Sequence, residues 1–155
     1  YNRWYWNKIF EETLEECKKA ENFTAVYMMD VDNFKNINDT KGHSMGDKCL
    51  IAIAEVLERE TKNIDNCDVF RMGGEEFVVF CRDIDKPNAI KLADAILKNI
   101  QNITIMGLDT MLTMSVGVHI QKVQNRSDIE EFMVKADKAM YESKNTGKNK
   151  VTLSF

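Results

Sequence analysis

The sequence predicts an α+β fold held in a single domain, and three features carry that prediction. Helical apolar stripes alternate with short apolar runs of strand type, a diglycine bend joins two of those runs as a hairpin, and the helical stretches are long enough to cover one face of the resulting sheet. With 155 residues, one proline, seven glycines and no low-complexity tract, the chain can bury a core of its own and shows neither a linker nor an internal repeat.

The elements follow in order. Trp4 to Ala20 sets Trp6, Ile9, Phe10, Leu14 and Cys17 on one helical stripe and leaves Glu11, Glu12, Glu15 and Glu16 outside it. Phe23 to Met29 is apolar almost throughout, as a central strand covered on both sides would be. Asp32 reads as a cap on a short helix from Asn33 to Asn38. Beyond the polar turn at Asp39–His43, Ser44 to Glu60 forms a long helix with Leu50, Ile51, Ile53, Ala54 and Leu57 inward, and Ser44-x-x-Asp47 has the form of a capping box. Cys67–Met72 and Phe77–Cys81 are strands, and Gly73-Gly74 between them supplies the positive φ of a tight turn.

Asp85-Lys86-Pro87 opens a helix whose stripe is Ile90, Ala93, Ile96, Leu97 and Ile100. Met111 to Ile120 supplies a further strand, in which Gly117 marks the close approach of another backbone. Ser127-Asp128-Ile129-Glu130 has the form of a capping box ahead of the stripe Ile129, Phe132, Met133, Ala136 and Met140, and Val151–Leu153 closes the chain as a short strand. His119, inside an apolar strand, reads as structural.

A net charge of −4 argues against non-specific nucleic-acid binding, which needs a basic face. Cys17, Cys49, Cys67 and Cys81 lack metal-ligand spacing and are expected to be reduced core thiols of a cytoplasmic protein. The longest apolar runs are too short to cross a bilayer.

Chemistry concentrates at the diglycine bend. Glu75 and Glu76 follow it directly, and because successive strand side chains point to opposite faces, one of them can reach a neighbouring strand. The expected neighbour is Asp30-Val31-Asp32, at the end of the first apolar run. Three carboxylates at the mouths of two strands suggest a site for a hard divalent cation, with Asp30 as a ligand and Asp32 in the capping role. A helix starting near Asn33 would offer free amides and a positive dipole end to phosphate oxygens, with Lys35 one turn in.

These residues stand in six ordered blocks: Asp30 to Asp39, Gly42 to Asp47, Arg71 to Phe77, Ser115 to Gly117, Ala136 to Lys144, and Gly147-Lys148-Asn149. Together they resemble the GGDEF family, the diguanylate cyclases, in its GGEEF form. The resemblance implies a mostly antiparallel, ferredoxin-like palm as in nucleotide cyclases, and condensation of two GTP molecules into cyclic di-GMP. It implies a Mg²⁺ or Mn²⁺ ion held by Asp30, the Val31 carbonyl and Glu75; catalytic roles for Glu75 and Lys35; guanine recognition by Asn38 and Asp47; and further substrate contacts from Phe34, His43, Lys144 and Lys148. A carboxylate such as Asp47 can accept parallel bonds from guanine N1–H and the 2-amino group, a pair that adenine lacks, which also weighs against a mixed GMP–AMP product. Lys148 stands where the family usually has arginine.

Since the product is two-fold symmetric, a second copy of the domain is the expected catalytic partner. Tyr1-Asn2-Arg3 resembles the middle of the family's opening segment, so a preceding sensor or receiver domain is expected. Many relatives carry an inhibitory RxxD product site just before the bend; here residues 63–68 contain no arginine, and feedback through that site is not expected. The rival reading is a non-catalytic module that binds GTP or cyclic di-GMP. Intact Asp30, Lys35, Asn38, Asp47 and Glu75 count against it, and Lys148 counts mildly for it.

Overall fold

The structure, a computed structural model, describes residues 3–155. The likeness noted at Tyr1 and Asn2 therefore lies outside the described residues. The elements are α1 (Arg3–Lys19), β1 (Phe23–Val31), α2 (Phe34–Lys41), α3 (His43–Thr61), β2 (Cys67–Gly73), β3 (Glu76–Ile84), α4 (Lys86–Gln101), β4 (Met114–Gln121), α5 (Asp128–Asn145) and β5 (Lys150–Ser154).

One five-stranded sheet runs in the order β2-β3-β1-β4-β5. Its β2–β3, β3–β1 and β1–β4 pairings are antiparallel and only β4–β5 is parallel, so the α+β expectation of a mostly antiparallel sheet holds. Read from β1, the path β1-α3-β2-β3-α4-β4 is the ferredoxin-like unit, to which α5 and β5 are appended.

Strand alternation then divides the core. Ala25, Tyr27, Met29 and Val31 of β1 pack with α3 and α4, whereas Val26 and Met28 pack with Trp6, Phe10, Phe132 and Met133 from α1 and α5. Helices therefore cover both faces, not the single face expected from helix length, because the α1 and α5 stripes need an apolar partner as much as those of α3 and α4. On the α1/α5 side the Phe10 and Phe80 rings stack at 5.6 Å and the Trp6 edge meets Phe80 at 5.1 Å. Each such buried aromatic contributes about 2–3 kcal/mol. His119 is structural as expected, buried between Ser154 and Gln121.

Several local expectations are corrected. Glycine, not serine, precedes α3: Gly42 is its N-cap and Ser44 lies inside the helix, so Asp47 is not part of a capping box. Ser127 makes no capping bond to α5; the Asp128 carboxylate instead accepts from the Gln124 and Asn125 amides. Asp85 caps α4 as predicted, accepting from Asn88 N–H at 2.8 Å. Ile51 faces out, 61% exposed, while Cys49 and Val56 join the buried side of α3. Cys17 and Cys49 are free and buried, but Cys67 and Cys81 pair across β2 and β3 and are joined as a disulfide, so only two of the four are the thiols expected.

Gly117 shows why β4 carries a glycine. A Cβ there would lie 2.1 Å from Met140 N and 2.3 Å from Ala136 O, both backbone atoms of α5. The helix thus rests directly on the strand, and its C-terminal end is delivered beside the end of β1. Gly117→Ala is expected to lower stability by about 3 kcal/mol or more, seen as a reduced urea midpoint. An unchanged midpoint would mean that α5 does not sit this close.

Candidate functional site

β1 ends in two aspartates with opposite surroundings. The Asp32 side chain is fully buried. Its carboxylate accepts from Ser115 Oγ at 2.6 Å, Thr113 Oγ1 at 2.8 Å, the Asn149 amide at 2.9 Å and Lys144 Nζ at 3.1 Å. Asp32 therefore does not cap α2. The N-cap is Asn33, in the left-handed region at φ 56°, and no side chain caps the helix.

Burial alone would raise the Asp32 carboxyl; the hydroxyl, amide and ammonium donors outweigh it and hold it below the usual carboxylate range. The balance is reasonable, since burying an ion costs several kcal/mol and each hydrogen bond to a charge returns about 1.5–3 kcal/mol.

Asp30 has one strong partner. Lys144 Nζ lies 3.0 Å from its Oδ1, and its side chain is 18% exposed. Burial pushes the Asp30 carboxyl up, Lys144 pulls it back, and the charges of Glu75 and Asp32 push it up further; the net shift is upward. Glu76, directly opposite Asp30 in the β1–β3 register, is raised by burial and then by the charges of Asp30, Asp137 and Glu75. Glu75 sits half-buried at the bend, and its carbonyl accepts from the Val31 amide at 3.2 Å, tying the hairpin to the exit of β1. Gly73 and Gly74 take φ of 136° and 53°, the positive values expected for the turn. Arg71 Nε donates to the Gly74 carbonyl at 2.8 Å and braces it.

Of the groups expected to share a cation, Asp30 lies within electrostatic reach of Glu75, and the Val31 carbonyl accepts from Lys144 at 3.2 Å. Asp32 is not a third member, because its oxygens are taken by internal donors. Among the described residues no three His, Cys, Asp or Glu side chains form a ready-made metal cluster. The donor set nevertheless suits a hard cation, since an Asp carboxylate and a backbone carbonyl already converge on one ammonium.

Lys148 reaches Asn33 Oδ1 at 2.8 Å, closing the turn after α5 against the start of α2. Lys35 and His43 stand exposed in the first turns of α2 and α3 and make no hydrogen bond or ion pair with these acids. Phe34 and Asn38 face α3, where a Cβ on Gly46 would fall 1.9 Å from Asn38 Oδ1 and 3.2 Å from Phe34 Cζ. Asn38 Oδ1 is buried and has no hydrogen-bond partner. Asp47 lines a cleft of about 440 Å³ between α3 and β2, with Leu50, Phe77, Val69 and Arg71 among its walls.

Four contributors were not assigned roles from sequence. Gly46 and Arg71 lie inside blocks that were recognised, but their contacts depend on α2 meeting α3 and on the hairpin geometry. Ser115, inside β4 and its recognised block, and Thr113, just before the strand, are hydroxyl residues that only the β1–β4 register puts beside Asp32.

A ferredoxin-like α+β domain with an acidic corner at its strand ends, beside an uncapped helix N-terminus, is the class that fold and site define. The chain belongs to the GGDEF domain family of diguanylate cyclases, whose model matches residues 1–150. It is 37% identical over 144 residues to diguanylate cyclase A of Treponema denticola, covering 92% of this chain and 38% of that protein. It is 33% identical over 152 residues to the probable diguanylate cyclase DgcT of Escherichia coli, covering 95% of this chain and 33% of that one. The chain thus spans about a third of the length of these curated relatives.

Among solved structures it matches the active GGEEF domain of a Vibrio cholerae diguanylate cyclase with a TM-score of 0.85 and 25% identity, over 99% of this chain and 97% of that one. It also matches the GGDEF domain of DgcB from Caulobacter crescentus, solved in complex with c-di-GMP, with a TM-score of 0.83 and 25% identity over 97% of this chain and 89% of that one. Membership implies a divalent-metal requirement. No helix among the described residues is long and apolar enough to cross a membrane.

The two aspartates make opposite predictions. Asp32, depressed, contributes stability that is present above the ordinary carboxylate value of about 3.9 and is lost as pH falls through its lower folded value. Asp30, raised, does the reverse: the fold loses stability as pH climbs from the ordinary value through the raised one. At pH 7, Asp32→Asn is expected to cost about 3 kcal/mol, whereas Asp30→Asn raises the thermal midpoint of the nucleotide-free protein. Calorimetry of both variants checks the pair, and a midpoint lowered equally by both would contradict it.

Proposed function

We propose that this domain condenses two GTP molecules into cyclic di-GMP with release of two pyrophosphates, acting as a pair of domains. The observation that carries the reading is the convergence of the Asp30 carboxylate and the Val31 carbonyl on one cationic group beside Glu75. Asp30, the Val31 carbonyl and Glu75 would hold Mg²⁺ or Mn²⁺, which when bound neutralises the triphosphate and makes its α-phosphorus easier to attack.

The chain's own groups do the rest. The amides at the start of α2 have no side-chain cap and, with the dipole and Lys35, favour phosphate oxygens. Lys144 and Lys148 face the outer phosphates; lysine at 148 keeps the charge but lacks the arginine fork, so its grip is less directional. Asn38 Oδ1 lacks a donor where it packs against Gly46, and a turn of the side chain toward the nucleotide would give it an N–H of guanine. Asp47 can accept from N1–H and the 2-amino group, and Phe34 and His43 complete the nucleotide contacts. In each of two successive steps a 3′-hydroxyl oxygen bonds to an α-phosphorus, the bond from that phosphorus to the pyrophosphate oxygen breaks, and Glu75 takes the hydroxyl proton. One GTP per domain and a two-fold product require a second copy facing the first, so an unpaired domain is slow. By analogy with its longer relatives, a separate input domain would control the pairing, and the reaction would take place in the cytoplasm.

Incubation of the concentrated protein with GTP and Mg²⁺, followed by chromatography and mass spectrometry, is expected to yield cyclic di-GMP. GTP that stays bound and unconverted would replace the enzyme with a binding module. Glu75→Gln should abolish turnover while the circular dichroism spectrum is kept; retained synthesis would remove Glu75 from the mechanism. Asn38→Ala should raise KM for GTP about tenfold to a hundredfold, the worth of a hydrogen bond in a buried site. An unchanged KM would place the base elsewhere.

A further inference from the structure

Lys144 is held by three oxygens, and two of them are the oxygens wanted for the cation. Its Nζ lies 3.0 Å from Asp30 Oδ1, 3.2 Å from the Val31 carbonyl and 3.1 Å from Asp32 Oδ1. A divalent ion and an ammonium cannot share Asp30 and Val31 at such distances without strong repulsion. We infer that Lys144 is an exchangeable stand-in for the cation: in the nucleotide-free protein it neutralises Asp30 and occupies the Val31 carbonyl, and a divalent ion enters only as the ammonium lets go of both. The inference rests on the reading of Asp30 and Val31 as cation ligands.

The structure also fixes which bond is exchanged and which is kept. Asp32 is fully enclosed, and Ser115, Thr113 and the Asn149 amide hold its carboxylate in place. Unpairing it would strand a buried charge. Asp30 is partly exposed and has no comparable set of donors, so its pairing with Lys144 is the one that can be given up.

The post carrying the lysine is rigid, because Ser143 Oγ donates to the Val116 carbonyl at 2.9 Å and lies 2.7 Å from Thr152 Oγ1. Motion is therefore confined to the flexible lysine stem, pivoting on Asp32 toward the side where Lys148 meets Asn33. Phosphate oxygens arriving there would offer the ammonium a replacement partner. Nucleotide and metal then favour each other's binding, as linkage requires when each removes the same obstacle.

Titration of Mn²⁺ into nucleotide-free protein, with free Mn²⁺ read by electron paramagnetic resonance, tests this. Lys144→Met should bind Mn²⁺ about tenfold more tightly than the unaltered protein, a typical coupling between two competing sites. Lys144→Gln, which can still donate to Asp32, should shift in the same direction and guards against misfolding in the first variant. Lys148→Met deletes an equal charge from a lysine bound to Asn33, and should change the affinity by less than about twofold if screening dominates at that position.

Equal gains in the Lys144 and Lys148 variants, or no gain in the Lys144 variants, would overturn the exchange. Adding Asp30→Asn to Lys144→Met should remove the gain. If that double variant still binds Mn²⁺ tightly, the cation does not sit at Asp30, and the assignment of the metal ligands falls rather than the exchange alone.

Discussion

One buried carboxylate organises the functional end of this domain. Asp32 receives hydrogen bonds from the segment entering β4, from the last turn of α5 and from the turn leading into β5, so three separate stretches are fixed to the end of β1 at a single point. The turn before β5 needs such an anchor, since Gly147, Lys148 and Asn149 all take positive φ, at 118°, 59° and 46°. For a lysine that conformation costs about 1 kcal/mol or more and persists only where neighbours over-determine it. Asn149 donates to Asp32, and the Lys148 amide donates to the Ser143 carbonyl at 2.9 Å; together they hold both lysines at the corner.

The hairpin is anchored by different means. Two glycines permit the bend, Arg71 closes it onto the Gly74 carbonyl, and the Val31 amide grips the Glu75 carbonyl. Behind the bend, β3 lies between β2 and β1 with apolar layers on both faces. A turn mounted on a doubly covered strand has little freedom to drift, so Glu75 is held near the exit of β1 by its backbone bond to Val31 and by the strand that follows it.

Period and punctuation made most of the framework legible in the sequence. The strand runs, the helical stripes, the diglycine turn and the close approach at Gly117 rest on patterns that local geometry enforces. The failures are of one kind. Asp32, Ser44 and Ser127 carry the chemistry of caps, and a capping motif is judged from three or four neighbouring residues. For Asp32 the winning donors come from residues 113, 115, 144 and 149, which no local rule can weigh. The Cys67–Cys81 pairing and the covering of both sheet faces likewise depend on register and on helix placement. At the site, the nearness of Asp30 to Glu75 was legible because strand ends and turns were. The position of Lys144 between two aspartates was not, because it requires α5 to lie on Gly117.

The acidic corner itself is assembled against its own electrostatics. Asp30 and Glu76 stand directly opposite each other across β1 and β3, an arrangement of like charges that disfavours pairing, and both carboxyls are raised. The strands pair regardless, because Met28, Met29, Phe77 and Val78 around them are almost completely buried and the ladder continues through Phe80. Burial of several such side chains, about 1.5–3 kcal/mol each, exceeds the repulsion of one carboxylate pair at the strand ends. The surplus of negative charge is thus retained at the point where strands end and solvent begins. Relief of that repulsion is available to any cation that enters, and the Lys144 ammonium, 3.0 Å from Asp30 Oδ1, already supplies part of it.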